Sequence, residues 1–183
     1  MGNIYISSDL HFCHNRDFLY GKRGFDSIAE HDEAIVKEWN KIVKAGDEVY
    51  ILGDCMLNDN TAGVNLLRRL AGKKHIIFGN HDTNERINLY KDIFNVDVLG
   101  FAHRMKYNGY TLYLSHYPTL TDNHDGDKPL DRRVINLCGH SHTQDKWEDF
   151  NKGLIYHCEL DAHDNKPVLL DDIIEEIKEK VNE

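Results

Sequence analysis

Eight polar side chains in five short stretches are of the types that hold and use metal ions. They are Asp9 and His11 in Ser8-Asp9-Leu10-His11, Asp54 behind Gly53, Asn80 and His81 in Gly79-Asn80-His81-Asp82, His116, and His140 with His142 in Gly139-His140-Ser141-His142. Any one alone is weak, because an isolated Asp-x-His is more often a turn and a single His is more often structural than a ligand. Together they form a nitrogen and oxygen donor set without thiolates. Such a set suits Mn, Fe, Zn or Ni in octahedral-like sites rather than a structural zinc. In extended backbone, residues i and i+2 point the same way, so Asp9 with His11, and His140 with His142, would each reach one shared region. A carboxylate has two oxygens, and one Asp can therefore bridge two cations about 3.5–4 Å apart.

These stretches need a scaffold that gathers them, and the hydrophobic pattern supplies one. Short apolar runs precede each: Ile4-Tyr5-Ile6, Val49-Tyr50-Ile51-Leu52, residues 75–78, residues 110–115 and Val134-Ile135-Asn136-Leu137-Cys138. Each reads as a buried strand emptying into a polar turn. Between them, Ile35, Val36, Trp39, Ile42 and Val43 recur at helical spacing over about residues 31–44, with a second helix on Val64, Leu67 and Leu70 and a short one near 85–91. Alternating strands and helices imply right-handed crossovers and a parallel sheet whose carboxyl-end loops share one edge. After residue 100 the pattern turns to strands. Residues 101–107 and 110–115 flank Asn108-Gly109, the strongest two-residue hairpin signal. A further strand over 154–160 and a closing amphipathic helix on Ile173, Ile174, Ile177 and Val181 complete one α/β domain across residues 1–183, with two packed sheets and helices outside. The polar segment 117–132, carrying Asp122, His124, Asp125, Gly126 and Asp127, reads as a long surface loop, either a lid or plain solvated chain.

Composition narrows the function classes. The 183 residues are 40% hydrophobic and 29% charged, ordinary values for a folded enzyme or binding domain. A net charge of −9 disfavours bulk nucleic-acid binding, since the whole-molecule field repels polyanions. The four cysteines, Cys13, Cys55, Cys138 and Cys158, stand far apart with no Cys-x-x-Cys pair, which fits a reduced, cytoplasmic setting. No segment approaches the roughly 18 apolar residues of a membrane span.

The ordered series Asp9-Leu10-His11, Gly53-Asp54, Gly79-Asn80-His81-Asp82, His116 and Gly139-His140-Ser141-His142 resembles the motif set of the calcineurin-like metallophosphoesterase superfamily. Ser8-Asp9-Leu10-His11-Phe12 and His116-Tyr117-Pro118 also resemble a compact bacterial and phage branch of predicted phosphoesterases. The resemblance implies that superfamily's four-layer sandwich of two mixed β-sheets flanked by helices. It further implies two divalent ions, Mn foremost and Fe, Zn or Ni as alternatives. Asp9, His11, Asp54 and His142 would hold the first ion; Asp54, Asn80, His116 and His140 would hold the second, with Asp54 bridging. His81 would bind no metal but face the substrate and protonate the leaving oxygen, with Asp82 supporting it from behind.

The implied reaction is hydrolysis of a phosphomonoester or phosphodiester. A hydroxide shared between the two cations attacks phosphorus in line, with no covalent protein intermediate. The cations would supply the positive field that the acidic chain lacks. His14 and Asn15 share the first metal loop and, with Arg23, are candidates for binding a small phosphoester or nucleotide; Arg16, Lys22, Arg132 and Arg133 are more simply read as solvated surface. His124, His157 and His163 read as structural or surface histidines, and Asp161 takes no role. The alternative is a non-catalytic metal-binding or scaffold protein on the same fold, which the full ligand series argues against.

Overall fold

The computed structural model describes residues 2–121, 128–148 and 153–182. The part of the 117–132 loop holding Asp122, His124, Asp125, Gly126 and Asp127 lies outside the described residues. The chain runs β1 (Ile4–Ser7), α1 (Asp17–Tyr20), α2 (Ile28–Ile42), β2 (Glu48–Ile51), α3 (Asn60–Arg69), β3 (Lys73–Ile77), α4 (Asn84–Lys91), β4 (Val96–Gly100), β5 (Ala102–Tyr107), β6 (Tyr110–Ser115), β7 (Val134–Cys138), β8 (Ile155–His157), β9 (Val168–Leu169) and α5 (Leu170–Val181).

Two mixed sheets result. The first has the order β4-β3-β2-β1-β9, with β1 to β4 parallel and β9 antiparallel to β1; the second has the order β5-β6-β7-β8, with β5 antiparallel and the rest parallel. The central strands β1, β2 and β7 read as largely apolar runs because they are buried on both faces. Successive side chains go to opposite sides: Tyr5, Val49, Ile51 and Ile76 join Trp39, Val64 and Leu67 under the helices, while Ile6, Tyr50, Leu52 and Ile77 meet Leu112, Leu114, Ile135 and Leu137 between the sheets. Ile173, Ile174 and Ile177 of α5 seal that inter-sheet core.

The helices begin where local chemistry starts them. Ser27 accepts from Glu30 N, and Glu30 reaches back to Asp26 N, a near capping box that starts α2 at Ile28 rather than near residue 31. Asp59 and Thr83 cap α3 and α4 in the same way. Asn108 and Gly109 have φ of 47° and 88°, the two left-handed residues a tight β5–β6 hairpin requires.

Periodicity missed three elements and overextended one. The single turn α1 and the two-residue β9 are too short to show a period. β4 was hidden because Val96–Gly100 is a half-buried edge strand; the chain then crosses to the second sheet at Gly100, whose φ is 95°. The strand expected over 154–160 ends at His157, because Glu159 bridges to Ser8 of the first sheet instead of continuing along β7. A 3₁₀ turn, Leu160–Ala162, follows.

Trp39 is fully buried between α2 and the first sheet, with its indole N–H on the Ala71 carbonyl at 3.0 Å. Trp39→Ala is expected to cost roughly 3–5 kcal/mol in urea unfolding, a large part of a typical domain's stability. An unchanged unfolding midpoint would show that the helical layer does not depend on this anchor.

Candidate metal centre

Five of the parallel strands, β1, β2, β3, β6 and β7, end at one edge, and the polar turns follow them there. Backbone hydrogen bonds continue past the strand ends: Asp9 N to Gly53 O, His11 N to Asp54 O and Gly139 N to His116 O, each at 3.0–3.1 Å. The backbone itself is not extended. Asp9, His11, Asp54, His140 and His142 have φ between 48° and 75°. The i and i+2 pairs therefore converge because alternate residues are left-handed, not because the chain is strand-like. Each such residue costs on the order of 1–3 kcal/mol, least for Asp, Asn and His, the residue types found here.

Three side chains make one group. His11 Nε2 and His142 Nε2 are 3.1 Å apart, and Asp9 Oδ1 lies 3.5 and 3.6 Å from them. The other Asp9 oxygen is committed, accepting from Ser8 Oγ and His140 N. Asp9 Oδ1, fully buried, has no hydrogen-bond partner. A buried charged acceptor left bare is costly unless something absent from the chain completes it.

The second group gathers on the other side of Asp54. His116 Nε2 is 2.9 Å from Asn80 Oδ1, 3.2 Å from His140 Nδ1 and 3.6 Å from Asp54 Oδ2. His116 Nδ1 faces the Leu52 carbonyl at 2.8 Å and must donate to it, so a neutral imidazole turns its Nε2 lone pair toward these acceptors. Acceptors crowded on acceptors fit a cation between them. Asp54 Oδ2 also stands 3.7 Å from His11 Nε2, within reach of both groups, while Asp54 Oδ1 is held by His81 N at 2.8 Å. Two donor sets of this kind, Asp9 with His11 and His142, and Asp9 with Asp54 and His116, are compact enough to hold an ion.

The electrostatics agree. Burial drives the His11 imidazole down to about 3, so it presents a lone pair at neutral pH. Burial and the facing Asp9 carboxylate push Asp54 up to about 7.

Two glycines make room for this. A Cβ on Gly79 would come within 2.1 Å of Asp54 Oδ1, and one on Gly139 within 2.0 Å of Ser8 Oγ and 2.3 Å of Asp9 Oδ2. Gly79 is thus required for close approach rather than for a left-handed turn. The Asp82 carboxylate makes its hydrogen bonds to groups other than the His81 ring. It accepts from Asp54 N, Gly79 N and Tyr90 Oη at 2.6–2.9 Å, fixing the two turns to each other.

The centre floors a cavity of about 400 Å³, bordered by His14, Phe18, Leu19, Lys22, His81 and Asp161 as well as by five of the ligand candidates, His11, Asp54, Asn80, His140 and His142. His81 Nε2 is 3.9 Å from Asp54 Oδ2, with the side chain 41% exposed toward this space. His14 stacks on His11 with their Nδ1 atoms 3.0 Å apart. Asn15 is exposed and does not border the cavity. Arg23 is buried behind the site: all five of its N–H groups are taken, by Asp161, Leu10 O, His31 and Asp9 O, leaving none for a substrate. The cation that does border the cavity is Lys22, whose Nζ donates to His142 O. Asp161, given no role from sequence, receives His142 Nδ1 at 3.0 Å. No spacing signal could have found it, because it pairs with groups 19 and 138 positions away.

The calcineurin-like phosphoesterase superfamily domain matches residues 3–157, a span that includes every ligand candidate and stops short of Asp161. An uncharacterized protein of Methanocaldococcus jannaschii is 32% identical over 183 residues, covering 97% of this chain and 93% of that protein. The gene 66 protein of Mycobacterium phage L5 is 28% identical over 166 residues, 78% of this chain and 79% of its own. The crystal structure of a protein of unknown function from Aquifex aeolicus shares the fold, with a TM-score of 0.69 at 22% identity over 96% of this chain and 99% of that one.

The close approach at Gly79 is directly testable. Gly79→Ala is expected to lose about 1–3 kcal/mol of unfolding free energy through overpacking against Asp54. Retention of full stability would mean the Asp54 turn has slack that the contacts do not show.

Proposed function

The chain belongs to the calcineurin-like phosphoesterase superfamily, and on that premise we propose that it is a phosphoesterase using two divalent ions, Mn foremost, to hydrolyse small phosphoesters or nucleotides. The observation that carries this reading is Asp54 Oδ2, buried between two donor groups and within 3.7 Å of an imidazole of each. Asp9, His11, Asp54 and His142 would hold one ion; Asp54, Asn80, His116 and His140 would hold the other. When bound, the ions would polarise the phosphoryl oxygens and lower the pKa of water for in-line attack.

The chain's own residues do the rest. His81 projects into the cavity without a place in either donor group, so it is free to meet the ester oxygen that leaves. Burial lowers its pKa, and a phosphate anion within hydrogen-bond reach reverses this by favouring the imidazolium, which then has a proton to give. Lys22 places a second cation on the wall, and His14 stands over His11 at the same mouth. Phe18, 68% exposed, and Leu19 form an apolar side where the organic part of the ester can rest. A volume of about 400 Å³ suits a small phosphoester or a mononucleotide better than a duplex, and the net charge of −9 points the same way. The whole chain would act as one domain. No helix among the described residues is long and apolar enough to cross a membrane, and a cytoplasmic role fits the four unpaired cysteines.

Chelator-treated protein is expected to be inactive on aryl phosphomonoesters and phosphodiesters and to regain activity with Mn, more strongly than with Ni, Zn or Fe. Saturating Mn should also raise the melting temperature, by about 2.7 kcal/mol of stabilisation at a hundredfold excess over Kd. Full activity in the chelated protein refutes the reading, and no activity with two ions bound favours the scaffold alternative.

His81→Ala is expected to keep both ions and to lose about 10²–10⁴ in kcat, most for esters with poor leaving groups. Metal content by elemental analysis and rates across a leaving-group series check it. Loss of ions along with turnover would place His81 among the ligands instead.

A further inference from the structure

His142 is held from behind differently from the other ligand candidates. Its Nδ1 meets Asp161 Oδ2 at 3.0 Å, and that carboxylate is gripped by Arg23 through Nε at 3.3 Å and Nη2 at 2.6 Å. The Arg23 and Asp161 side chains are 1% and 3% exposed. Arg23 Nη2 also donates to the backbone carbonyl of Asp9 at 2.8 Å. One guanidinium thus ties the loop after β1, which carries Asp9 and His11, to the turn after β8 that orients His142. A buried ion pair of this kind is often no more stabilising than a well-packed apolar pair, so stability alone is a poor reason for it.

Among the described residues, the second donor group shows no such support. The rear nitrogen of His116 rests on a neutral acceptor, the Leu52 carbonyl at 2.8 Å, and Asn80 is exposed. A carboxylate behind an imidazole fixes its tautomer, its orientation and its basicity, whereas a carbonyl fixes mainly the first two.

We propose that Asp161, clamped by Arg23, is a positioning residue that presents His142 Nε2 to the first ion and makes the Asp9–His11–His142 group the tighter of two unequal metal sites. This rests on the two-ion reading above. Asp161 would touch neither ion nor substrate; it would act through His142. Arg23, rather than gripping phosphate, would hold that carboxylate and the Asp9 loop in register.

The test is Mn titration of the chelated full-length chain by calorimetry, with elemental analysis for stoichiometry and metal-free melting as the folding control. Wild type is expected to show a tight and a weak class of sites. Asp161→Ala should weaken the tight class about 10–100-fold and leave the weak class unchanged, so that the two affinities approach each other. Asp161→Asn, which keeps an oxygen for His142 Nδ1, should recover part of the loss and remains informative if the alanine variant does not fold. Unaltered tight-class affinity in a folded Asp161→Ala or Asp161→Asn chain overturns the inference, as does weakening confined to the weak class. Wild type that binds one ion, weakened by Asp161→Ala, would instead sink the two-ion reading and leave the role of Asp161 standing. Wild type that binds none overturns both.

Discussion

Asp54 sits 2% exposed, and burial together with the neighbouring Asp9 carboxylate raises its pKa. Two carboxylates in a low-dielectric pocket repel strongly, and burial penalises each of them further. Much of the surrounding structure manages that conflict. Asp54 Oδ1 is fixed by the His81 amide, its own amide is fixed by Asp82, and Gly79 leaves the space the carboxylate fills. The remaining oxygen, Oδ2, is left turned toward imidazoles on both sides. The arrangement is one that could hold a metal ion.

The fold makes this concentration of charge tolerable by spending its apolar residues elsewhere. The central strands build one apolar core under the helices and another between the sheets. The strain is confined to the turns beyond the strand ends, where left-handed backbone at five candidate ligands swings their side chains inward. Rigid strands and hydrogen-bonded turns thereby hold acceptor atoms that would otherwise move apart.

Arg23 shows how a residue's chemistry can be read correctly and its place wrongly. An arginine close in sequence to a metal loop suggests a phosphate clamp, yet its N–H groups are consumed by Asp161, His31 and two backbone carbonyls. Lys22, one position earlier, faces the cavity instead. A change of one position in a short turn reverses the direction of a side chain. Asp82 is similar: it supports the site, but by bracing the Asp54 and Gly79 backbone rather than His81.

The sequence by itself determined the strand and turn grammar, the α/β architecture, the hairpin at Asn108-Gly109 and the family with its candidate ligands. These follow from local periodicity and from motifs whose residues sit a few positions apart, which is information a linear chain carries. Tertiary structure decided what depends on distance in space. It assigned Asp161 to His142, withdrew Arg23 from the cavity, placed Lys22 and Phe18 there, added β4 to the first sheet and put β5 in the second. It also showed that left-handed backbone, not strand-like extension, brings the paired ligands together. Most of these depend on which segments pack together in space, over separations from 19 positions for His142 and Asp161 to 138 for Arg23 and Asp161, and no local pattern encodes such pairings.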